Sequence, residues 1–391
     1  MRKLQSSRSS AIGDRRGEAE NSEATKVLEY AVFDVLRFAL AFAVLLSHMG
    51  ALRWAHAGNL AVEVFFALSG WLIGSILCRT SPAELSRFYF NRATRIWIPY
   101  FVTVCALYLV SFLHEQSLSS RWHEFLLYDL TFTHNWFSLL PNALAALNQM
   151  PLHGTGNHFW SIAVEEQFYL AAPLVITLLP LGRSVYIWIT IAAAAILTGG
   201  FYGSIALGVL CAVVAQNSGS WHLSPLGRIA LVAVLISASC SMAFDGHAYV
   251  YAAPFFSAAL VLLCAIPMRR TAASHWLGGI SYPLYLNAWV GVFALHALVK
   301  RLGIPEAGWL YEVSVASSAV LGAVAFYHLI DRVVISNRNG YYRRSLGWVL
   351  GGFSYALLLI GIIYGRHEIS ARQREVMRGV SPIGNTTGAV P

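Results

Sequence analysis

Asp34, Arg37 and His48 lie in an otherwise almost wholly apolar run, AVFDVLRFALAFAVLLSH, and Glu165 and Glu166 lie in another, NHFWSIAVEEQFYLAAPLVITLLP. A charge at membrane depth is costly, so such groups mark a functional site by default, usually one facing a polar cavity. Their types suit proton transfer and anion handling. Histidine titrates near working pH and makes a good general base. A carboxylate beside it fixes its tautomer, and guanidinium forks match phosphate oxygens. Arg37 and His48 are eleven residues apart. That is about 1100° of helical rotation, within about 20° of three turns, so they share one face about 16 Å apart along the axis. Asp34, three residues before Arg37, falls on nearly the same side. Each has a plainer reading alone: Arg37 snorkelling to an interface, Asp34 neutralising it, His48 satisfied at the membrane surface. Aligned as one stripe, they favour function.

Further candidates lie in the neighbouring runs. Glu63 sits near the outer end of NLAVEVFFALSGWLIGSIL. A short loop makes this helix an antiparallel neighbour of the one ending at His48, so Glu63 either approaches the histidine or is an interfacial charge. Ser69-Gly70 permits close helix packing. Arg92 and Arg95, spaced i, i+3 among aromatics, form either an interfacial anchor or a phosphate clamp. In GGISYPLYLNAWVGVF, the polar tips of Tyr282, Tyr285, Asn287 and Trp289 either line a cavity or pack at an interface.

The elements that must hold these residues are membrane helices. The chain has 391 residues, 57% hydrophobic and 12% charged, with mean hydropathy +0.57, too few charges to clothe a soluble globule of this size. Apolar runs near 31–51, 60–78, 96–113, 158–180, 184–199, 201–217, 226–244, 248–268, 277–299, 311–334 and 346–364 predict an all-α, polytopic transmembrane helix bundle of about 10–11 spans. With the N-terminus cytoplasmic, inside segments hold 18 Lys/Arg and outside segments 8, which favours that orientation. Eleven spans put the C-terminus outside; the four arginines after residue 365 count against that ending, and ten spans with a cytoplasmic tail are the alternative. Residues 1–30 are too polar to fold alone and read as a disordered cytoplasmic tail without a cleavable signal, 31–364 as the membrane domain, and 365–391 as a polar basic tail.

The net charge of +8 belongs to the cytoplasmic rims, and no separate basic domain suggests nucleic-acid binding. The five cysteines have no C-x-x-C spacing, so neither a metal site nor a disulfide framework is expected. The longest non-spanning stretch, 114–157, reads as a lid or re-entrant piece. Its His114, His123, His134 and His153 lack metal-ligand spacing and read as surface or interfacial groups.

In order, FDVLRFALAFAVLLSH, VEVFFALSGW, RFYFNRATRIW, WSIAVEEQFYLAAP and ISYPLYLNAW resemble the sequence blocks of the acyltransferase 3 family, integral-membrane acyltransferases that typically O-acylate surface carbohydrates. The resemblance covers residues 33 to about 290. It implies a multi-pass protein of a bacterial inner (plasma) membrane, an O-acyltransferase. Acyl-CoA, in the first instance acetyl-CoA, would be the cytoplasmic donor, with no metal. A carbohydrate hydroxyl would be the acceptor, in an O-antigen, exopolysaccharide or lipo-oligosaccharide. His48 would be the catalytic histidine, oriented by Glu165 or Glu63. Arg37, Arg92 and Arg95 would hold the CoA phosphates. Asp34, Trp160, Ser161, Tyr169 and Tyr282 are the candidate substrate contacts. Glu166, about 100° round the helix from Glu165, has no matching family position and reads as structural. The sequence departs from the family's last block, which often carries a histidine where Ala288 stands. The rival reading is a transporter or flippase for a lipid-linked sugar, with the same charges lining a pathway.

Overall fold

The computed structural model describes residues 30–140, 142–179 and 181–377. The expected N-terminal tail, apart from Tyr30, and residues 378–391 lie outside the described residues. Long apolar runs must satisfy their backbone internally, and helices do so. In chain order the helices are α1 (Ala31–His48), α2 (Ala57–Leu77), α3 (Leu85–His114), the short α4 (Trp122–Leu130), α5 (His134–Phe137), α6 (Ala143–Gln149) and α7 (Pro151–Gly154), then α8 (Phe159–Ala172), α9 (Val185–Leu197), α10 (Tyr202–Ser218), α11 (Pro225–Phe244), α12 (Tyr249–Cys264), α13 (Ala272–Leu302), α14 (Trp309–Phe326), α15 (Arg332–Tyr341) and α16 (Arg344–Met377). Nine helical segments among the described residues are long and apolar enough to cross a membrane, and α9 and α10 are shorter apolar helices at the fifth and sixth expected spans. The protein is a multi-pass, all-α bundle.

Two helices continue with a widened π turn, α8 through Pro173–Leu178 and α14 through Tyr327–Asp331. In the first, proline has no N–H to give to the regular ladder.

Contacts sort the helix ends into two groups. At one end, Ala31 N donates to Met268 O (3.3 Å) and Arg270 pairs with Asp34 (2.7 Å). Arg79 donates to Gln216 (3.3 Å) and Arg87 to Asn339 (2.7 Å) at this same arginine-rich end. At the other lie His48 and a cap made of α4–α7.

A close crossing joins α2 to α10. A Cβ on Gly70 would overlap the Ile205 carbonyl, and one on Gly208 would overlap the Ala67 carbonyl, so each glycine admits the other helix's backbone. Gly208→Val is expected to destabilise the bundle by about 1–3 kcal/mol. Thermal unfolding in detergent would read this as a lowered midpoint, and an unchanged midpoint would refute the close-approach role.

The cap is bound to the last helix. Glu124 on α4 accepts two hydrogen bonds from Arg121 (both 2.9 Å) and one from Tyr128 (2.7 Å), and pairs with Arg372 of α16. The stretch after residue 365, expected as a tail, thus begins as helix and holds the cap. Burial alone would raise the Glu124 pKa. The hydrogen bonds from Arg121 and Tyr128, with the charges of Arg121 and Arg372, outweigh it and bring the carboxyl below its ordinary value. A depressed folded pKa adds stability above the unfolded value, about 4.3, and that stability is lost as pH falls through the folded value. Pepsin cleavage within 114–157 should therefore rise steeply below about pH 4. In Glu124→Gln the cap should already be loosened at neutral pH, detectable with a neutral protease, and wild-type protection there would contradict the proposed join.

One expectation about this segment is corrected. His134 is not a surface group: it is 1% exposed, with Nδ1 2.5 Å from Asp129 Oδ1, while Tyr108 donates to Asp129 Oδ2 (2.6 Å). Asp129 is buried, and a buried carboxylate needs partners. His114, His123 and His153 are exposed as expected.

Candidate active site

Two cavities lie along α1. The larger, about 660 Å³, opens among the arginines: Arg37 from α1, Arg92 and Arg95 from α3, with Arg79 and Arg270 at its edge. Asp34, 3% exposed, holds Arg37 (3.4 Å) and Arg270 (2.7 Å) and does not line the cavity. The Arg92 guanidinium lies over the Tyr169 ring, 5.6 Å from its centroid, within range of cation–π attraction. Its Nε is buried with no hydrogen-bond partner among the described residues. Glu165 faces the same space and accepts from Ser69 (2.6 Å) and Tyr169 (3.2 Å). Tyr282 donates to Ile96 O (3.3 Å) on the cavity wall. On the cavity wall, outside the spans, burial lowers the His222 pKa, with the Arg228 charge acting in the same direction.

The smaller cavity, about 230 Å³, lies towards the cap. His48, the last residue of α1, is exposed into it and has no hydrogen-bond partner among the described residues. Asn59 on α2, Asn157 and His158 just before α8, and Trp160 on α8 complete most of its wall. Val62 and Tyr285 line both cavities, so the two spaces adjoin across these side chains. Ser161 and Tyr285 are hydrogen-bonded there (2.5 Å).

With this geometry in hand, comparison with known proteins is decisive about kinship. The acyltransferase domain family matches residues 30–328, more than half of the chain. The chain belongs to the acyltransferase 3 family. Among relatives of this acyltransferase domain, O-acetyltransferase OatA of Staphylococcus aureus is 31% identical over 150 residues, 37% of this chain and 24% of that protein. Peptidoglycan O-acetyltransferase OatA of Listeria monocytogenes is 29% identical over 145 residues, 36% of this chain and 23% of that protein. The matched stretch thus spans under a quarter of these curated relatives' length. No solved structure matches.

In this acyltransferase domain the residues picked from sequence divide in two. Arg37, Arg92, Arg95, Glu165, Ser161, Tyr169 and Tyr282 gather on the larger cavity, while His48 and Trp160 line the smaller. Asp34, a candidate substrate contact, is instead the ion-pair anchor of two arginines. Neither expected orienting carboxylate is hydrogen-bonded to His48. Glu63 accepts from Ser204 of α10 (2.5 Å), drawn there by the close α2–α10 crossing, and Glu165 is held by Ser69 and Tyr169. The titratable base that shares the cavity of His48 is His158, whose ring nitrogens face Thr155 O (3.1 Å) and Leu286 O (3.2 Å). Its sequence signal was its place immediately before the FWSIAVEEQFY run, two residues from Trp160. Glu166 accepts from Trp97 of α3 (2.9 Å), a tie between helices. Arg79 and Arg270 are among the inside Lys/Arg by sequence, and nothing in their spacing places them on a cavity.

Proposed function

We propose that the protein is a membrane-embedded O-acetyltransferase, taking acetyl from acetyl-CoA at the arginine-rich end and delivering it to a hydroxyl of a cell-surface or lipid-linked carbohydrate at the other. The observation that carries this reading is the pair of adjoining cavities along α1, one cationic and one holding His48. The nucleotide phosphates of CoA suit Arg37, Arg92 and Arg95, whose forks bind phosphate oxygens in pairs. Positive charge concentrates on the cytoplasmic side of inner-membrane proteins, which supports a cytoplasmic side for this end and for the N-terminus. The pantetheine arm then runs along α1 towards Tyr285 and His48.

A hydroxyl is a weak nucleophile at neutral pH. His48 takes its proton as the oxygen attacks the thioester carbonyl. The tetrahedral intermediate collapses, the C–S bond breaks, and His48 returns the proton to the departing thiolate. Glu165, with Ser69 and Tyr169, balances the arginine charge in the donor cavity, and His158 is the neighbour that tunes His48.

The test is purified protein in nanodiscs with acetyl-labelled CoA and a membrane-sugar extract. Label transfer to carbohydrate with release of CoA thiol is the expected result. Passage of sugar across a vesicle bilayer with the thioester intact would replace this reading with the transporter.

A further inference from the structure

We propose that the smaller cavity seats one uncharged sugar ring, with Trp160 against its face, the amides of Asn59 and Asn157 at its edge, and the hydroxyl to be acylated against His48. This rests on the acetyl-transfer reading above and narrows its acceptor to a neutral monosaccharide unit. A space of about 230 Å³ holds about eight waters at ~30 Å³ each, the scale of a single pyranose.

Charge decides which pyranose. No Arg, Lys, Asp or Glu lines this cavity among the described residues, in contrast to the arginines of the larger one. A uronic or sialic acid seated here would strip water from its carboxylate and find no fixed cation in return, which disfavours it. Glu63, one turn along α2 from Asn59, is turned to Ser204 and adds no cation. Neutral hydroxyls, each both donor and acceptor, match amides, which offer both.

One of those amides has an open valence. Asn157 Oδ1 is buried without a hydrogen-bond partner among the described residues, and buried polar atoms in that state call for a ligand or water. The aromatic wall is rigid, because Trp160 packs on Phe201 (centroids 4.3 Å apart) and meets the edge of Phe66 (5.9 Å). Gly58 lets the end of α1 pack closely on α2: a Cβ there would come 2.9 Å from Ser47 Oγ, and both residues line the cavity.

The experiment compares surface and lipid-linked carbohydrate from the encoding organism and its deletion strain, locating by NMR the O-acetyl group that is lost. The expected carrier is a hexose, deoxyhexose or N-acetylhexosamine ring. Loss from a uronic or sialic acid would overturn the neutral-ring inference while leaving acetyl transfer standing. Loss of no acetyl group, with His48-dependent thioester cleavage by purified protein, would equally overturn it. With no cleavage either, the function reading itself falls. On the identified acceptor, Asn157→Ala should raise the acceptor KM about 3- to 10-fold with the acetyl-CoA KM unchanged, and an unchanged acceptor KM would remove Asn157 from the site.

Discussion

His48→Ala is expected to lose acetyl transfer by about 10²–10⁴-fold, the usual cost of removing a general base, while the protein still inserts and folds. The second half of that expectation comes from the structure. His48 ends α1, is exposed into a cavity and has no hydrogen-bond partner among the described residues. Truncating such a side chain leaves no buried group unpaired, and surface changes of this kind stay within about 0.5 kcal/mol. Measured on purified protein, the variant should therefore match wild type in thermal midpoint and in acetyl-CoA binding and differ in turnover alone. Persistent turnover in His48→Ala would remove the base assignment, and His158, across the same cavity, would be the next residue to test.

The second large effect is expected at the donor end. Arg37→Gln should raise the acetyl-CoA KM with the acceptor KM unchanged. A hydrogen bond to a charged group is worth about 1.5–3 kcal/mol, which is about 10- to 150-fold. The fold should tolerate the change because Asp34 keeps its pair with Arg270 (2.7 Å) when Arg37 is lost. Arg92→Gln should act in the same direction, since the buried Arg92 Nε has no partner among the described residues. Donor binding should also weaken with ionic strength, less steeply in either variant than in wild type. Equal donor affinity in wild type and both variants would dissociate these arginines from the phosphates.

The stripe on α1 was legible because it depends only on helix geometry. Eleven residues bring Arg37 and His48 to one face whatever surrounds the helix, and the structure sets them on adjoining cavities. The partners of the carboxylates were not legible in this way. Glu63 is expected beside His48 because their helices are consecutive and antiparallel, but the close approach of α2 and α10 at Gly70 and Gly208 lets Ser204 take the carboxylate. Glu165 is paired with the histidine in sequence through the family block it matches and the usual role of a carboxylate beside an imidazole. Its own helix supplies Tyr169 four residues on, and α2 supplies Ser69, both on the larger cavity. His134 looked like an interfacial residue because nothing in the chain between Asp129 and His134 announces that Tyr108 of α3 closes over them.

Sequence alone determined the class of molecule, the family and which polar residues share one face of α1, because run length, block order and helical period are properties of the chain taken one segment at a time. Tertiary structure decided which distant side chain answers each charge: Asp34 to Arg270, Glu63 to Ser204, Glu165 to Ser69, Glu166 to Trp97, Glu124 to Arg372. The reason is physical. Helices apolar on every side carry no moment to say which face meets which neighbour, whereas a hydrogen bond forms only within about 3 Å. Its partner is fixed by where small residues such as Gly70 and Gly208 let backbones approach.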